Sequence, residues 1–359
     1  MKISLLVDSR SMGGIETHII QLARGLYRQQ VDVELLLFKH YQHHPLVEEL
    51  KPIIPVTHLE GSITKLVYHL KNTNTVLHTH GYKAGILGRL AGKLTNTPVV
   101  STFHNGDPGK GKTRLYNALD RLTAGMSSNI AVSDSIAKQL LNNCQVVPNF
   151  IQLHDIEKQK VEKTSSTTLA TEVAYVGRLS YEKGPDVFAQ ITQQLSTRQP
   201  STHQLSQRSL NTPICMYGDG PMRNDLKHKY PHIHFYGQVD MKDYWQYIRV
   251  LVISSRHEGL PLVALEAMAH GIPVVASEAG DLPHLLQQAN INSCHSINDY
   301  PAFIQSIQQY LQQSNAERNL QAQRMQRFTK QHYSVEACLP RIMSVYQHAI
   351  QSHRITAHS

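Results

Sequence analysis

Short apolar runs, each closed by a glycine or polar turn and followed by a helical stretch, recur along this chain. That rhythm restricts it to an α/β fold built on parallel sheets. The first run is residues 3–7. A turn through Gly13 and Gly14 follows, and then Ile15, Ile19, Leu22, Ala23 and Leu26 repeat at the spacing of one helix face. Val31, Val33, Leu35 and Leu37 alternate as the next strand, and further short strands are expected at residues 76–78, 99–102 and 130–132. In sheets of this kind ligands bind beyond the carboxyl ends of the strands, where Gly13, Gly14, His80, His104 and Ser133 fall. Ser133 has the position of a helix cap, and capping alone accounts for it.

A second series of strands is expected at residues 173–176, 214–217, 250–254 and 273–276, with a strand end at 235–239 and a helix at 240–248 carrying Trp245 as a packing residue. With 359 residues the chain is long enough for two such domains. Between the two series, residues 152–171 turn to Lys, Glu, Ser and Thr and read as an exposed linker. A polar tract at 193–211 reads as a surface insertion, and the stretch from 300 to 359 as helical and Gln-rich.

Two loops of the second series carry charge suited to a phosphorylated ligand. Arg178 and Lys183 stand on the loop after the strand at 173–176, where two cations can converge on a diphosphate. A surface ion cluster would look the same. The stretch from Ser254 to Leu282 holds Glu258 and Glu266 with Gly259, Leu260, Pro261 and a helix from Leu262 to His270 between and around them, closed by Gly271. Glu258 then lies just outside that helix and Glu266 about one turn inside it. The unpaired N–H groups of Leu262 and Val263 suit a phosphate, and the flanking acids can accept from sugar hydroxyls. Taken alone, two glutamates at this spacing are more often a solvated loop acid and an exposed helix acid.

Several classes are excluded or disfavoured. No apolar run reaches the length of a bilayer span, and the opening residues lack a secretory signal, so a cytoplasmic location is expected. The four cysteines are scattered and form neither a disulfide framework nor zinc-finger spacing. The Gly13–Gly14 turn lacks the G-x-G-x-x-G pattern of dinucleotide binding. The net charge of +8 and the basic excess between Lys83 and Arg121 call for an anionic partner. No nucleic-acid-reading motif accompanies that charge, which leaves anionic lipid, a phosphorylated acceptor, or a merely solvated basic face.

The segment running from Glu258 through Gly259, Leu260, Glu266 and Gly271 to Ser277 resembles the E-x7-E signature of retaining glycosyltransferases of the GT-B fold, family 4. The resemblance extends to Gly-Gly-X-Glu at residues 13–16, to the segments around His80 and His104, to Pro148–Asn149, to Gly-Arg-Leu at 177–179 with Glu-Lys-Gly at 182–184, and to the turns at Gly218 and Val239. Asp281 departs from it, standing where a second glycine is common.

The resemblance implies two Rossmann-like parallel-sheet domains facing a central cleft. The first, acceptor-side domain spans residues 1–150 and the nucleotide-sugar domain spans 172–335. A linker at 151–171 joins them, and a last helix at about 336–359 packs back on the first. It implies transfer of a sugar from a nucleoside diphosphate, UDP or GDP, to an acceptor hydroxyl with retained configuration. Arg178, Lys183, Gly14 and the helix start at Leu262 and Val263 would hold the diphosphate, and Glu266 the ribose. Gly13, Gly218, Val239, Gly259 and Leu260 would line the donor site. Glu258 would hold the donor sugar, His104 would lie near the anomeric carbon, and His80 would face the acceptor. No metal or other cofactor is implied. A glycan or lipid-linked acceptor in lipopolysaccharide, capsule or exopolysaccharide synthesis is the expectation, with peripheral contact to the inner face of the cytoplasmic membrane. The alternatives are a sugar-nucleotide epimerase or hydrolase of the same architecture and a non-catalytic nucleotide-sugar or polyanion-binding protein.

Overall fold

The structure is a computed structural model that describes residues 1–39, 41, 43–104, 111–140, 144–153, 170–197 and 212–357. The linker expected at 151–171 and the insertion expected at 193–211 therefore lie largely outside the described residues. Of the latter, residues 193–197 are the last turn of helix Pro185–Thr197. The chain divides into two compact units, Met1–Gln152 with Tyr333–Ser359, and Leu153–His332.

The first unit holds a seven-stranded sheet in the order β3-β2-β1-β4-β5-β6-β7. Its strands are β1 (Lys2–Val7), β2 (Asp32–Leu37), β3 (Val56–His58), β4 (Thr75–His80), β5 (Val99–Phe103), β6 (Ser128–Ala131) and β7 (Cys144–Val146), and every pairing is parallel. Successive strand residues point to opposite faces, so the leucine pair in β1 serves two cores. Leu5 packs with Ile19, Leu22 and Leu26 of helix Gly14–Arg28, and Leu6 with Leu66, Leu70 and Ala84 of two other helices. The helix Val335–Ala357 completes the first of these cores by adding Leu339, Ile342 and Tyr346.

The second unit holds a six-stranded sheet, β10-β9-β8-β11-β12-β13, again parallel throughout. Its strands are β8 (Glu172–Val176), β9 (Ile214–Tyr217), β10 (Ile233–Gly237), β11 (Ile248–Ile253), β12 (Val274–Ser277) and β13 (Cys294–His295). Val173, Val250 and Val252 pack with Val187, Phe188 and Ile191 of helix Pro185–Thr197 and with Phe303 and Ile307 of helix Tyr300–Gln312.

The helix expected at residues 240–248 is instead two short 3-10 turns, Met241–Asp243 and Trp245–Tyr247, with β11 starting at Ile248. Trp245 is buried at 5 % exposure and stacks on His270, which fixes the chain before a regular helix has room to form. The strand expected to end at Val239 stops at Gly237, whose φ of +75° turns the chain out of the sheet.

Candidate functional site

In each sheet the strand order reverses at one place, between β1 and β4 in the first unit and between β8 and β11 in the second. The crevice beyond the carboxyl ends of two such strands is where open α/β sheets bind ligands. The sequence-predicted residues fall at both crevices.

In the second unit the loops after β8 and β11 are tied together. Gly184 follows the Arg178–Lys183 loop at φ +63°, and a Cβ built on it would lie 1.9 Å from the Ser254 carbonyl oxygen. The Ser254 hydroxyl donates back to the Gly184 carbonyl at 2.7 Å. Only glycine permits both the left-handed backbone and this approach. The Tyr175 hydroxyl, buried under the loop, donates to the Arg178 carbonyl at 2.8 Å. Burial above all, then Glu258, Glu182 and Asp186, push its pKa well above the ordinary range, so it remains a donor. Arg256 clamps the far side, donating to both oxygens of Asp186 at 2.8 and 2.6 Å and lying over the Tyr181 ring.

Within this frame Lys183 Nζ lies 2.8 and 2.7 Å from the two Glu258 oxygens, and the Ser255 hydroxyl donates to one of them at 2.7 Å. The Glu258 side chain is 6 % exposed and that of Lys183 35 %. Arg178, on the same loop, is exposed. Helix Leu262–His270 begins behind Pro261, which offers no side chain to cap it, so the first amides, at Leu262 and Val263, face outward from the helix start without that competitor. Glu266 stands one turn on, half-buried. Burial foremost, with Asp240 adding to it, raises its carboxyl to about 7. The Asp281 amide donates to the Gly259 carbonyl at 2.9 Å, so the loop that carries the departure from the family pattern is bonded to the Glu258 loop. Gly218, at φ +134°, donates to the Gly237 carbonyl at 2.7 Å, which joins the β9 and β10 turns, and Val239 is half-buried just beyond.

In the first unit the outstanding feature is a nest of imidazoles. His80 at the end of β4 and His104 after β5 share a hydrogen bond of 3.1 Å through His80 Nδ1 and His104 Nε2. His18 of the first helix lies edge-on to His104, with ring centres 4.7 Å apart, and its Nδ1 bonds Asn149 Oδ1 at 3.0 Å. With that amide oxygen accepting, the proton sits on Nδ1 and Nε2 carries a lone pair. Among the described residues, the Nε2 atoms of both His18 and His80 are buried without a hydrogen-bond partner. Beneath them His78 is held by the Tyr346 hydroxyl and Thr102 Oγ1, each at 2.7 Å. Burial lowers His18 to about 4 and His78 to about 3, and burial together with the neighbouring histidines lowers His80 and His104 well below the ordinary value, so the nest is neutral near pH 7. Among the described residues His18, His80 and His104 are the one group with metal-ligand character, their ligand atoms within 4.8 Å of one another. The shared hydrogen bond occupies one nitrogen of His80 and one of His104. Gly13 and Gly14 open the helix that carries His18, and a Cβ on Gly14 would meet nothing within 4 Å.

The structure thus brings together Lys183, Glu258, Gly259 and Asp281 on bonded loops of one unit, and His80 with His104 in the other. Sequence reasoning missed His18, Ser255, Tyr175 and the Arg256–Asp186 pair. Ser133 is a cap, accepting from the Ile136 amide at 3.2 Å. Among the described residues no helix is long and apolar enough to cross a membrane.

Comparison with known proteins agrees in both units. The profile described as Glycosyltransferase Family 4 matches residues 12–154, and that described as Glycosyl transferases group 1 matches residues 170–313. The chain is 23% identical over 330 residues to the D-inositol 3-phosphate glycosyltransferase of Jonesia denitrificans, covering 75% of this chain and 76% of that one. It is 25% identical over 291 residues to the UDP-Gal:alpha-D-GlcNAc-diphosphoundecaprenol alpha-1,3-galactosyltransferase of Escherichia coli, covering 73% and 70%. Among solved structures it resembles Anabaena HepE in complex with UDP and glucose, with a TM-score of 0.76 at 19% identity over 97% of this chain and 99% of that one. The lipopolysaccharide outer core galactosyltransferase WaaB gives a TM-score of 0.65 at 16% identity over 98% and 99%. The two profiles lie one in each parallel-sheet unit and the fold likeness runs the length of the chain, so this protein belongs to glycosyltransferase family 4 and has the GT-B fold.

Proposed function

We propose that this glycosyltransferase moves a hexosyl or N-acetylhexosaminyl group from a UDP- or GDP-sugar to an acceptor hydroxyl with retention of configuration, in the synthesis of a cell-surface glycan on a lipid-linked acceptor. The observation that carries the donor half is the β8/β11 crevice. It combines a cationic loop, an uncapped helix start at Leu262 and Val263, and the Glu266 carboxylate one turn inside that helix. Arg178, Lys183 and the Leu262 and Val263 amides take the diphosphate and its growing charge as the glycosidic bond breaks. Glu266 accepts from the ribose hydroxyls. Glu258 holds the donor-sugar hydroxyls, oriented by Ser255 and Lys183. The first unit supplies His104 toward the reacting sugar and His80 toward the acceptor, with Gly13 and Gly14 leaving the backbone accessible to the donor phosphate. Same-face attack assisted by a leaving phosphate oxygen needs no protein nucleophile, and the Arg and Lys cations fill the role that a divalent ion has in other transferases.

The Escherichia coli relative, named for a UDP-galactose donor and a diphosphoundecaprenol-linked acceptor, and the HepE complexes with UDP and UDP-glucose support this choice of donor and acceptor class. The reading puts the enzyme on the cytoplasmic side of the membrane. A thermal-shift screen of UDP, GDP and ADP with their common sugars tests it. A nucleotide at 100 times its dissociation constant adds about 2.7 kcal/mol of stability. One nucleotide should raise the melting temperature of the wild type and leave Glu266→Ala unmoved. No shift with any of them would refute the donor site.

A further inference from the structure

The hydrogen bonds of the imidazole nest sort its histidines into one that is spent and three that are not. His78 has the Tyr346 hydroxyl on Nδ1 and Thr102 Oγ1 on Nε2, so neither of its nitrogens is left for a ligand. His18 gives Nδ1 to Asn149 Oδ1 at 3.0 Å. Among the described residues its Nε2, like that of His80, is buried without a hydrogen-bond partner. His18 is 2 % exposed and His80 1 %. A buried ring nitrogen without a partner has given up its hydration for nothing in return, and two of them in one nest point to a ligand that would satisfy them.

The three available histidines come from three elements around one crevice. His18 stands on helix Gly14–Arg28, His80 ends β4, and His104 follows β5. Each offers one nitrogen, and the three nitrogens lie within 4.8 Å of one another. His80 Nδ1 and His104 Nε2 are 3.1 Å apart, close to the roughly 3.3 Å that separates two nitrogens on a tetrahedral ion with bonds of about 2.0–2.1 Å. The proton in that hydrogen bond is replaceable: moved to the other nitrogen of its own ring, it leaves two lone pairs facing one point. The remaining separations have to close by at most about 1.5 Å to complete the set. Asn149 already does for His18 what an outer partner does for a metal-bound histidine, holding the proton on one nitrogen and the lone pair on the other. His104 is half-buried, which leaves the group open to solvent on one side.

We propose that His18, His80 and His104 bind a divalent transition-metal ion of the Zn²⁺ or Co²⁺ class, an ion that the family resemblance does not imply. Three imidazole nitrogens with no carboxylate among them suit such an ion, whereas Mg²⁺ and Ca²⁺ take oxygen ligands. The site is therefore not a place for the divalent ion that other transferases set on the diphosphate, and it lies in the unit that does not carry Arg178 and Lys183. The bonds to the ion tie helix Gly14–Arg28 to the ends of β4 and β5, so occupancy stabilises the first unit. The inference stands on that unit alone and does not rest on the transfer reading.

The test is titration of the full chain, free of any histidine tag, with cobalt(II) chloride. Four-coordinate Co²⁺ absorbs far more strongly in the visible than the hydrated octahedral ion, so the band reports geometry as well as binding. Wild type should take up one Co²⁺ per chain with that band. Zn²⁺ should displace it and raise the melting temperature, and excess Mg²⁺ should do neither. His18→Phe keeps a ring in place and removes its nitrogens, and it should weaken binding at least about tenfold. Asn149→Ala, which removes no ligand, should weaken it by about tenfold as well. His43→Ala, at a fully exposed histidine of the same unit, should leave it unchanged. Thermal unfolding without metal establishes that each variant folds, and where His18→Phe does not, Asn149→Ala decides. Uptake without the band, a band indifferent to these substitutions in folded variants, or a band lost in His43→Ala overturns the proposal. No nucleotide or sugar enters the titration, so its failure and a failure of the donor site are read separately.

Discussion

The Lys183 ammonium is held between the two oxygens of Glu258, at 2.8 and 2.7 Å, although the two residues come from loops on different strands. The cation expected on the diphosphate and the acid expected on the sugar are thus each other's partners. Lys183→Met leaves a nearly buried carboxylate with Ser255 as its remaining donor and should lower the unfolding free energy by about 2 kcal/mol. Adding Glu258→Gln should return most of that loss. Urea unfolding of the two single variants and the double variant measures the coupling, and strict additivity would refute it.

Removing the exposed Arg178 tests the leaving-group role separately from stability. Arg178→Ala should melt like wild type yet lower turnover on the order of 10²-fold. Initial rates at saturating donor decide it. Unchanged turnover would remove Arg178 from the mechanism.

In the proposed ribose-binding role, Glu266 makes nucleotide binding sensitive to pH. Its carboxyl, raised to about 7, is largely protonated at about pH 6 and ionised at about pH 8, and the ionised form is the better acceptor of two ribose hydroxyls. Nucleotide affinity should therefore strengthen up to about tenfold across that interval, and Glu266→Gln should flatten the profile. Titration calorimetry at the two pH values is the check. The folded pKa lies above the unfolded one, so the same group favours the folded state below the unfolded value and withdraws that favour as pH rises toward 7.

The histidine nest has the opposite sign. His18 at about 4, His78 at about 3, and His80 and His104 lower than ordinary all take up protons more readily when unfolded. Stability should be full above the unfolded value near 6.5 and fall as the solution is acidified toward 4, by roughly 1 kcal/mol per histidine per pH unit. Denaturant midpoints between about pH 7 and about pH 5 measure this, and His78→Gln should reduce the slope.

Gly184→Ala should be disruptive out of proportion to one methyl group. The new Cβ would lie 1.9 Å from the Ser254 carbonyl in a backbone at φ +63°, so a loss of at least about 2 kcal/mol is expected, together with nucleotide binding. The melting temperature and the nucleotide shift read the two effects.

Strand and helix alternation was legible because β8 and β11 carry apolar runs at residues 173–176 and 250–253 and β1 carries Ile3, Leu5, Leu6 and Val7, and helix Leu262–His270 because Pro261 and Gly271 bracket it. The edge strands β3, β7 and β13 are two or three residues long and half-buried, too short for a pattern to register. Residues 240–248 carried no helix breaker, and only the burial of Trp245 against His270 cuts them into turns. The roles of Arg178, Lys183, Glu258 and Glu266 could be suggested by spacing and resemblance, but the Lys183–Glu258 contact spans 75 residues. His18 was hidden among Ile15, Ile19 and Leu22, since its partner Asn149 is 131 residues away.

The helix Val335–Ala357 lends Leu339, Ile342 and Tyr346 to a core otherwise made by the first 150 or so residues, with the whole second unit lying between the two in the chain. On the ribosome, the earlier segment emerges with part of one face of its sheet uncovered, while the second unit has all of its own strands as soon as residue 332 has been made. The part translated first is thus the part finished last. A nascent chain arrested just after the second unit would hold that unit complete and an N-terminal half whose exposed core invites chaperones.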